Sequence, residues 1–260
     1  MSQAEIRDMT EDNVFDYGFC GTKSIDHEGC RRKAEWFKKR ASEGMRYKVL
    51  YSREKGAIGL IEYIPGTYAW RAIEADKYMV IHCLCIFYKP FRNKGYASGM
   101  INACLEDAKK EKMFGVAVVT RKGAWMVGKD IFLKKGFEVV DKAPPDFELL
   151  VKKFKKDAPD PKFNRNYEKI LKKYGHGLTV IWSDQCPFIA KAMKEIRETI
   201  EDKYGIEAKL IQMKNHEDVR NAPSPYAIFS LIYDGKLLAF HPISSRRFMN
   251  IMDKELNKKK

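Results

Sequence analysis

From residue 31 onward, apolar positions recur in two spacings. Some runs are continuous or alternate, as strands do, and others repeat every three to four residues, as helices do. Residues 31–40, centred on Trp36, predict a helix. Residues 46–53 and 57–64 predict two strands across Glu54-Lys55-Gly56, with Pro65-Gly66 ending the second. Residues 79–87 are almost unbroken in their apolarity, the pattern of a strand covered on both faces. A helix over 95–110 follows, its apolar side set by Ala97, Met100, Ile101, Cys104, Leu105 and Ala108. Next come a strand over 114–120, a helix over 125–135 stopped by Gly136, and a strand over 147–151. The last third alternates again: a strand at 178–182, then a helix at 188–203 with Ile189, Met193, Ile196 and Ile200 on one stripe. A strand at 206–213 precedes a hairpin of 227–233 and 237–240 across Asp234-Gly235, and 246–256 predicts a terminal helix. The fold class is α/β, of the mixed α+β kind.

One stretch breaks the pattern. Residues 152–161 are charged, poor in aliphatics and punctuated by Pro159 and Pro161, which disfavour helix before them. This places a boundary there and divides the chain into a first domain over 1–154, a linker over 155–175 and a smaller domain over 176–260. At 260 residues, 45% hydrophobic and 32% charged, such a chain can bury cores without disulfide staples and is not disordered as a whole. No apolar run approaches the ~20 residues of a membrane span. The opening residues carry neither a basic nor an apolar leader region, so no secretory signal is expected. The six cysteines are scattered and read as reduced thiols in a cytoplasm. The net charge of +14 attracts polyanions. Its lysines are spread along the chain as a solvated surface, and no aromatic-basic RNA signature appears, which makes nucleic acid an unlikely partner.

The richest segment is Phe87-Tyr88-Lys89-Pro90-Phe91-Arg92-Asn93-Lys94-Gly95-Tyr96-Ala97-Ser98-Gly99, which joins the apolar strand to the amphipathic helix. A helix start leaves amide donors unpaired and carries partial positive charge, so it receives phosphate or pyrophosphate. Gly95 lets backbone approach an anion, and Arg92 and Lys94 add charge at the rim. A capped turn uses glycine in the same way. No Gly-x4-Gly-Lys-Ser/Thr and no Gly-x-Gly-x-x-Gly is present, so neither a P-loop nor a Rossmann site is supported.

Arg92-x-x-Gly95-x-Ala97 resembles the Arg/Gln-x-x-Gly-x-Gly/Ala motif of the GNAT superfamily of acyl-CoA N-acyltransferases. The strand before it, the helix after it and the later Gly136-Phe137 strengthen the resemblance, which covers about residues 3–154. It implies a mixed, splayed sheet flanked by helices. It also implies acetyl-CoA as donor and an amine of unknown identity as acceptor, joined by direct attack. On that resemblance, Arg92, Asn93, Lys94, Gly95, Tyr96, Ala97 and Ser98 cradle the pyrophosphate, while Cys85, Ile86 and Phe87 offer backbone bonds to the pantetheine arm. Phe132 stands where many relatives have a tyrosine that protonates the leaving thiolate. It can pack the pantetheine but has no proton to give. The strand at 79–87 holds no carboxylate. The candidates for a base are therefore His82, with an ordinary pKa of ~6.5, and Glu62 on the neighbouring strand. A hydrogen-bonded core histidine and a rim carboxylate are the plainer readings of these two. The aromatic segment 64–72 is expected to shape the acceptor pocket. A CoA-holding sensor without turnover and a basic nucleic-acid-associated protein remain as alternatives.

His82-Cys83-x-Cys85 looks like metal ligands on paper, but strand alternation sets His82 opposite the two cysteines. Cys20, His27 and Cys30 are too loosely spaced for a four-ligand zinc site, so no metal is expected. Residues 178–189 read as strand, turn and helix start, with Cys186 at a helix N-terminus where a thiol pKa is lowered. That segment resembles the thioredoxin active-site turn, and Ser224-Pro225 before the hairpin resembles that fold's cis-proline. Ile189 occupies the second cysteine position, so dithiol exchange within the turn is excluded. A GNAT domain followed by such a tail resembles the YoaP-type arrangement.

Overall fold

The computed structural model describes residues 4–22 and 26–258. Residues 1–3, where no secretory signal was expected, and the lysines at 259 and 260 lie outside the described residues.

The first part of the chain contains β1 (Ala4–Met9), α1 (Val14–Tyr17), α2 (Glu28–Ala41), β2 (Arg46–Ser52), β3 (Gly56–Pro65), β4 (Ile73–Glu74), β5 (Tyr78–Ile86), α3 (Tyr96–Lys110), β6 (Gly115–Thr120), α4 (Asp130–Leu133), β7 (Glu138–Ala143) and β8 (Phe147–Lys153). The second part contains β9 (Lys162–Phe163), α5 (Tyr167–Lys172), β10 (Leu178–Trp182), α6 (Phe188–Thr199), β11 (Ala208–Gln212), α7 (His216–Arg220), β12 (Phe229–Tyr233), β13 (Lys236–Ala239) and α8 (Ser245–Asn257).

Seven strands form the larger sheet, in the order β1-β2-β3-β5-β6-β8-β7. Its neighbours are antiparallel except β5 and β6. That parallel pair is short, running from Tyr78 opposite Gly115 to Ile81 opposite Val118. β5 then continues to Ile86 and β6 to Thr120 without pairing to each other, each still bonded to its outer neighbour, β3 or β8. The splay starts at a β-bulge: Glu62 lies opposite Cys83 and Tyr63 opposite Ile81, so His82 is one residue too many on β5. A bulge bends the strand and ends regular pairing.

The sheet separates two cores. On one face, α3 packs Met100, Ile101, Cys104 and Leu105 against Met79, Ile81 and Leu84, together with Phe132 and Phe137. The other face joins α1, α2 and the whole C-terminal unit into one cluster, from Met9 through Trp36, Tyr78 and Phe147 to Phe229 and Met252. The C-terminal sheet has the order β11-β10-β12-β13, with β10 parallel to β11 across α6 and antiparallel to β12. Segment 155–175, expected as a linker, is structured: β9 pairs with β4, and α5 follows.

The expected helix over 125–135 shrinks to four residues of α4, and Trp125, at its expected start, takes a positive φ that a helix does not allow. The helix expected over 188–203 stops at Thr199 as α6, and a π-helical turn over Ile200–Tyr204 completes it up to left-handed Gly205. The Ser224–Pro225 bond is trans, since among the described residues the cis peptide is Pro144–Pro145. Among these residues no helix is long and apolar enough to cross a membrane.

Gly115 starts β6 where a Cβ would stand 2.2 Å from the Lys152 carbonyl oxygen on β8. Gly115→Ala is therefore expected to cost about 1–3 kcal/mol by forcing the two strands apart. Urea unfolding measures this, and an unchanged midpoint would contradict the register.

Candidate active site

A left-handed glycine opens α3: Gly95 is its N-cap at φ +81°, and Asn93 is also left-handed at +61°. The first amide that closes within the helix is that of Gly99, bonded to the Gly95 carbonyl at 3.0 Å. The amides of Ala97 and Ser98 lie in the first turn, where a helix has no intrahelical acceptors. A Cβ on Gly95 would meet nothing within 4 Å, so the space before this helix end is open. The opening is a cleft of about 800 Å³ that extends from the loop to Leu84, Cys85 and Ile86, with Met126, Val127 and Ile131 across it. Arg92 and Lys134 supply positive charge, and Asp130 is the one carboxylate among its walls. Cys85, Ile86, Arg92, Asn93, Gly95, Tyr96, Ala97 and Ser98 are thus brought together, while Phe87, Lys94 and Phe132 are not part of this cleft's wall.

Arg92 departs from its expected role. Its amide goes to the Lys89 carbonyl at 3.0 Å. Its guanidinium donates to the carbonyls of Ile86 at 3.1 Å and Phe87 at 3.4 Å. Two of the three carbonyls expected to face a pantetheine arm are therefore held by arginine, and the Phe87 amide is spent on Ile58. The side chain ties the loop before α3 to the end of β5.

Beyond the cleft, between the parted strands, lies a void of about 30 Å³. Phe132 walls it, buried and edge-on to Phe137 at 5.4 Å. His82, Cys83, Trp125 and Tyr226 also line it. Tyr226 comes from the C-terminal unit, and its hydroxyl donates to the Trp125 carbonyl at 3.1 Å. Trp125 itself is left-handed at φ +74° and packs against Phe188 and His241, both from the C-terminal unit.

His82 and Glu62 do meet, but inside the protein. His82 Nδ1 is 3.2 Å from Glu62 Oε1, and Nε2 accepts the Trp70 amide at 2.9 Å. This makes the neutral Nδ1–H tautomer the one that satisfies both neighbours. Glu62 also receives the Lys33 ammonium and the Gln185 side-chain amide, the latter at 2.9 Å. Arg71, fully buried, donates to the Trp70 carbonyl, to Gln185 Oε1 at 2.8 Å and to the His82 carbonyl. Burial holds His82 down at about 4, against a partial pull upward from Glu62. Burial would raise Glu62, but Lys33, His82 and Gln185 outweigh it and leave the carboxyl at about 2. The two residues expected as bases are therefore corrected: both ring nitrogens and both carboxylate oxygens are engaged, and neither group takes a proton near neutral pH. Their effect is to clamp the bulge.

The cysteines also differ from expectation. The bulge turns His82 towards Glu62, on the face where Cys83 packs, so strand alternation does not keep them apart. His27 caps α2 by accepting the Cys30 amide at 3.2 Å. Among the described residues no group of His, Cys, Asp and Glu could hold a metal ion. Cys186 is not activated; burial outweighs the Phe188 backbone bond and pushes its thiol up to about 11.

Lys33, Arg71, Gln185 and Tyr226 were not singled out in the sequence, although the first three lie in segments that were. Lys33 had a signal, since it falls on the buried stripe of Cys30, Ala34 and Phe37. The other three acquire meaning only through contacts across more than 100 residues of sequence, or through a loop with no periodicity.

Three comparisons bear on this geometry. Residues 208–250 match the YoaP-like family model. The chain is 29% identical over 253 residues to the uncharacterized N-acetyltransferase YoaP of Bacillus subtilis (strain 168), covering 95% of this chain and 97% of that one. Among solved structures, the PaiA N-acetyltransferase of Thermoplasma acidophilum in complex with coenzyme A is 16% identical, with a TM-score of 0.42 over 58% of this chain and 99% of its own. A GNAT family acetyltransferase of Brucella melitensis in complex with acetyl-CoA is 11% identical, with a TM-score of 0.41 over 64% and 99%.

The buried histidine dictates a pH response. The unfolded chain protonates His82 below about 6.5, whereas the folded chain resists until about 4. In that window the unfolded state binds more protons, so stability falls as pH drops from 6.5 to 4. Urea unfolding across this range is expected to show the loss, and His82→Gln to flatten it. An equal slope in both proteins would contradict the assignment.

Proposed function

We propose that this protein is a GNAT-type N-acetyltransferase that moves an acetyl group from acetyl-CoA to an amine by direct attack. The observation that carries this reading is the continuity of two backbone features that face one cleft. The open amide end of α3 adjoins the strand edge of β5 that has lost its partner beyond Ile81. A diphosphate suits the first, and an extended amide-bearing arm suits the second, because exposed strand edges seek partners. Similarity to YoaP along nearly the whole chain supports the same reading.

The residues divide the work. The amides at Ala97 and Ser98, with Asn93, Lys94, Gly95 and Tyr96 around them, receive the pyrophosphate. Arg92 fixes the loop to Ile86 and Phe87, and Cys85 lies at the open edge. Phe132 packs beside the thioester, which supplies an acyl carbon already activated for attack. Lys33, Glu62, His82 and Arg71 are positioning residues that hold the bulge open. The attacking amine gives its proton to water, and alignment contributes much of the acceleration. The acceptor approaches on the face covered by the C-terminal unit, whose strand order and turn support a thioredoxin-like reading without dithiol chemistry. The free thiols support a reducing, cytoplasmic setting.

Titration calorimetry with acetyl-CoA is expected to show saturable binding. Gly95→Glu is expected to weaken it at least 100-fold by setting a carboxylate before the helix amides. Thiol release on adding a panel of amines separates an enzyme from a protein that only holds CoA. Unaltered affinity in Gly95→Glu would contradict the site.

A further inference from the structure

We infer that Tyr226, a residue of the C-terminal unit, is the proton donor to the sulfur that leaves when the acetyl group is transferred. The inference rests on the acetyl-transfer reading and deepens it, because it makes the C-terminal unit part of the chemistry.

The chemistry sets the requirement. The amine nitrogen forms a bond to the acyl carbon, the carbon–sulfur bond breaks, and its electron pair goes to sulfur. Protonating that sulfur in the transition state is general acid catalysis. Phe132 cannot supply the proton. The other protic side chains around the void are those of His82, Cys83, Trp125 and Tyr226. His82 has its one ring hydrogen directed at Glu62. Trp125 turns its ring outward, 42% exposed, against Phe188 and His241. Cys83 is a weak hydrogen-bond donor. Tyr226 remains.

The structure holds this phenol in place from two sides. The Arg71 guanidinium lies 5.0 Å from the ring centroid and is itself fixed by the Trp70 carbonyl, Gln185 and the His82 carbonyl. Burial raises the phenol well above its usual value, which keeps it protonated, and the arginine charge opposes that rise only in part. The hydroxyl's hydrogen goes to the Trp125 carbonyl at 3.1 Å, long for an O–H···O bond and therefore weak. A sulfur lodged between β5 and β6 competes for that hydrogen. The phenol gives it to the sulfur, the phenoxide recovers a proton from water, and the amine's surplus proton goes to water. The products are an amide and a thiol.

Tyr226→Phe tests this, because it keeps the ring and deletes only the hydroxyl. Amine-dependent thiol release is expected to fall about 100-fold with KM for acetyl-CoA unchanged. Calorimetry gives a second readout that needs no turnover. The wild type is expected to bind CoA about tenfold more tightly than desulfo-CoA, and Tyr226→Phe to bind the two alike, having lost one hydrogen bond to sulfur. Three results would overturn the inference: unchanged release in the variant, discrimination between the ligands that survives the substitution, or loss of affinity for both ligands together, which marks a packing role. A wild type that binds neither ligand and releases no thiol would instead overturn the acetyl-transfer reading itself.

Discussion

The architecture depends on one surplus residue in a strand. With His82 bulged from β5, the parallel pairing to β6 ends at Ile81, and the rest of β5 presents an unpaired edge. Such an edge is costly to bury unless something pairs with it or holds it open. Here Lys33, Glu62, His82, Gln185 and Arg71 lock the bulge through buried ion pairs and hydrogen bonds. A buried charge network adds little net stability over an apolar replacement, but removing one partner strands the rest. We read the network as a device for geometry, since it fixes where the strand parts.

The same network joins the two halves of the chain. Gln185 from the β10–α6 turn bonds both Glu62 and Arg71, so the C-terminal unit is bonded to the clamp and does not merely lean on it. The shared core on that face makes the join extensive. The unit therefore covers the side of the sheet opposite α3. Its Phe188 and His241 brace Trp125, and Trp125 in turn covers the gap.

Local signals made the larger elements legible. The amphipathic period of α3, the apolar run of β5 and the Asp234-Gly235 hairpin are each written within a dozen residues, and the place of the loop between β5 and α3 follows from them. The bulge was not legible, because a surplus residue is visible only against its partner strand. Hence His82 and Glu62 could be offered as bases; the plainer reading of His82 as a hydrogen-bonded core histidine is the one the structure shows, while Glu62 is buried rather than at a rim. Trp125 was read as helix because its apolar neighbours fit the period, while its positive φ and the tertiary anchor at Tyr226 override it. β1 and β7 were missed because their charged residues mask the alternation on half-exposed outer strands.

The central claim is that one ligand engages the open edge of β5 and the amide end of α3 at once. Amide hydrogen exchange, with and without CoA, tests it directly. The account predicts that protection rises together at residues 83–86 and 96–98 and is lost in both places at the same ligand concentration. Protection confined to the helix end, with the strand unchanged, would contradict it.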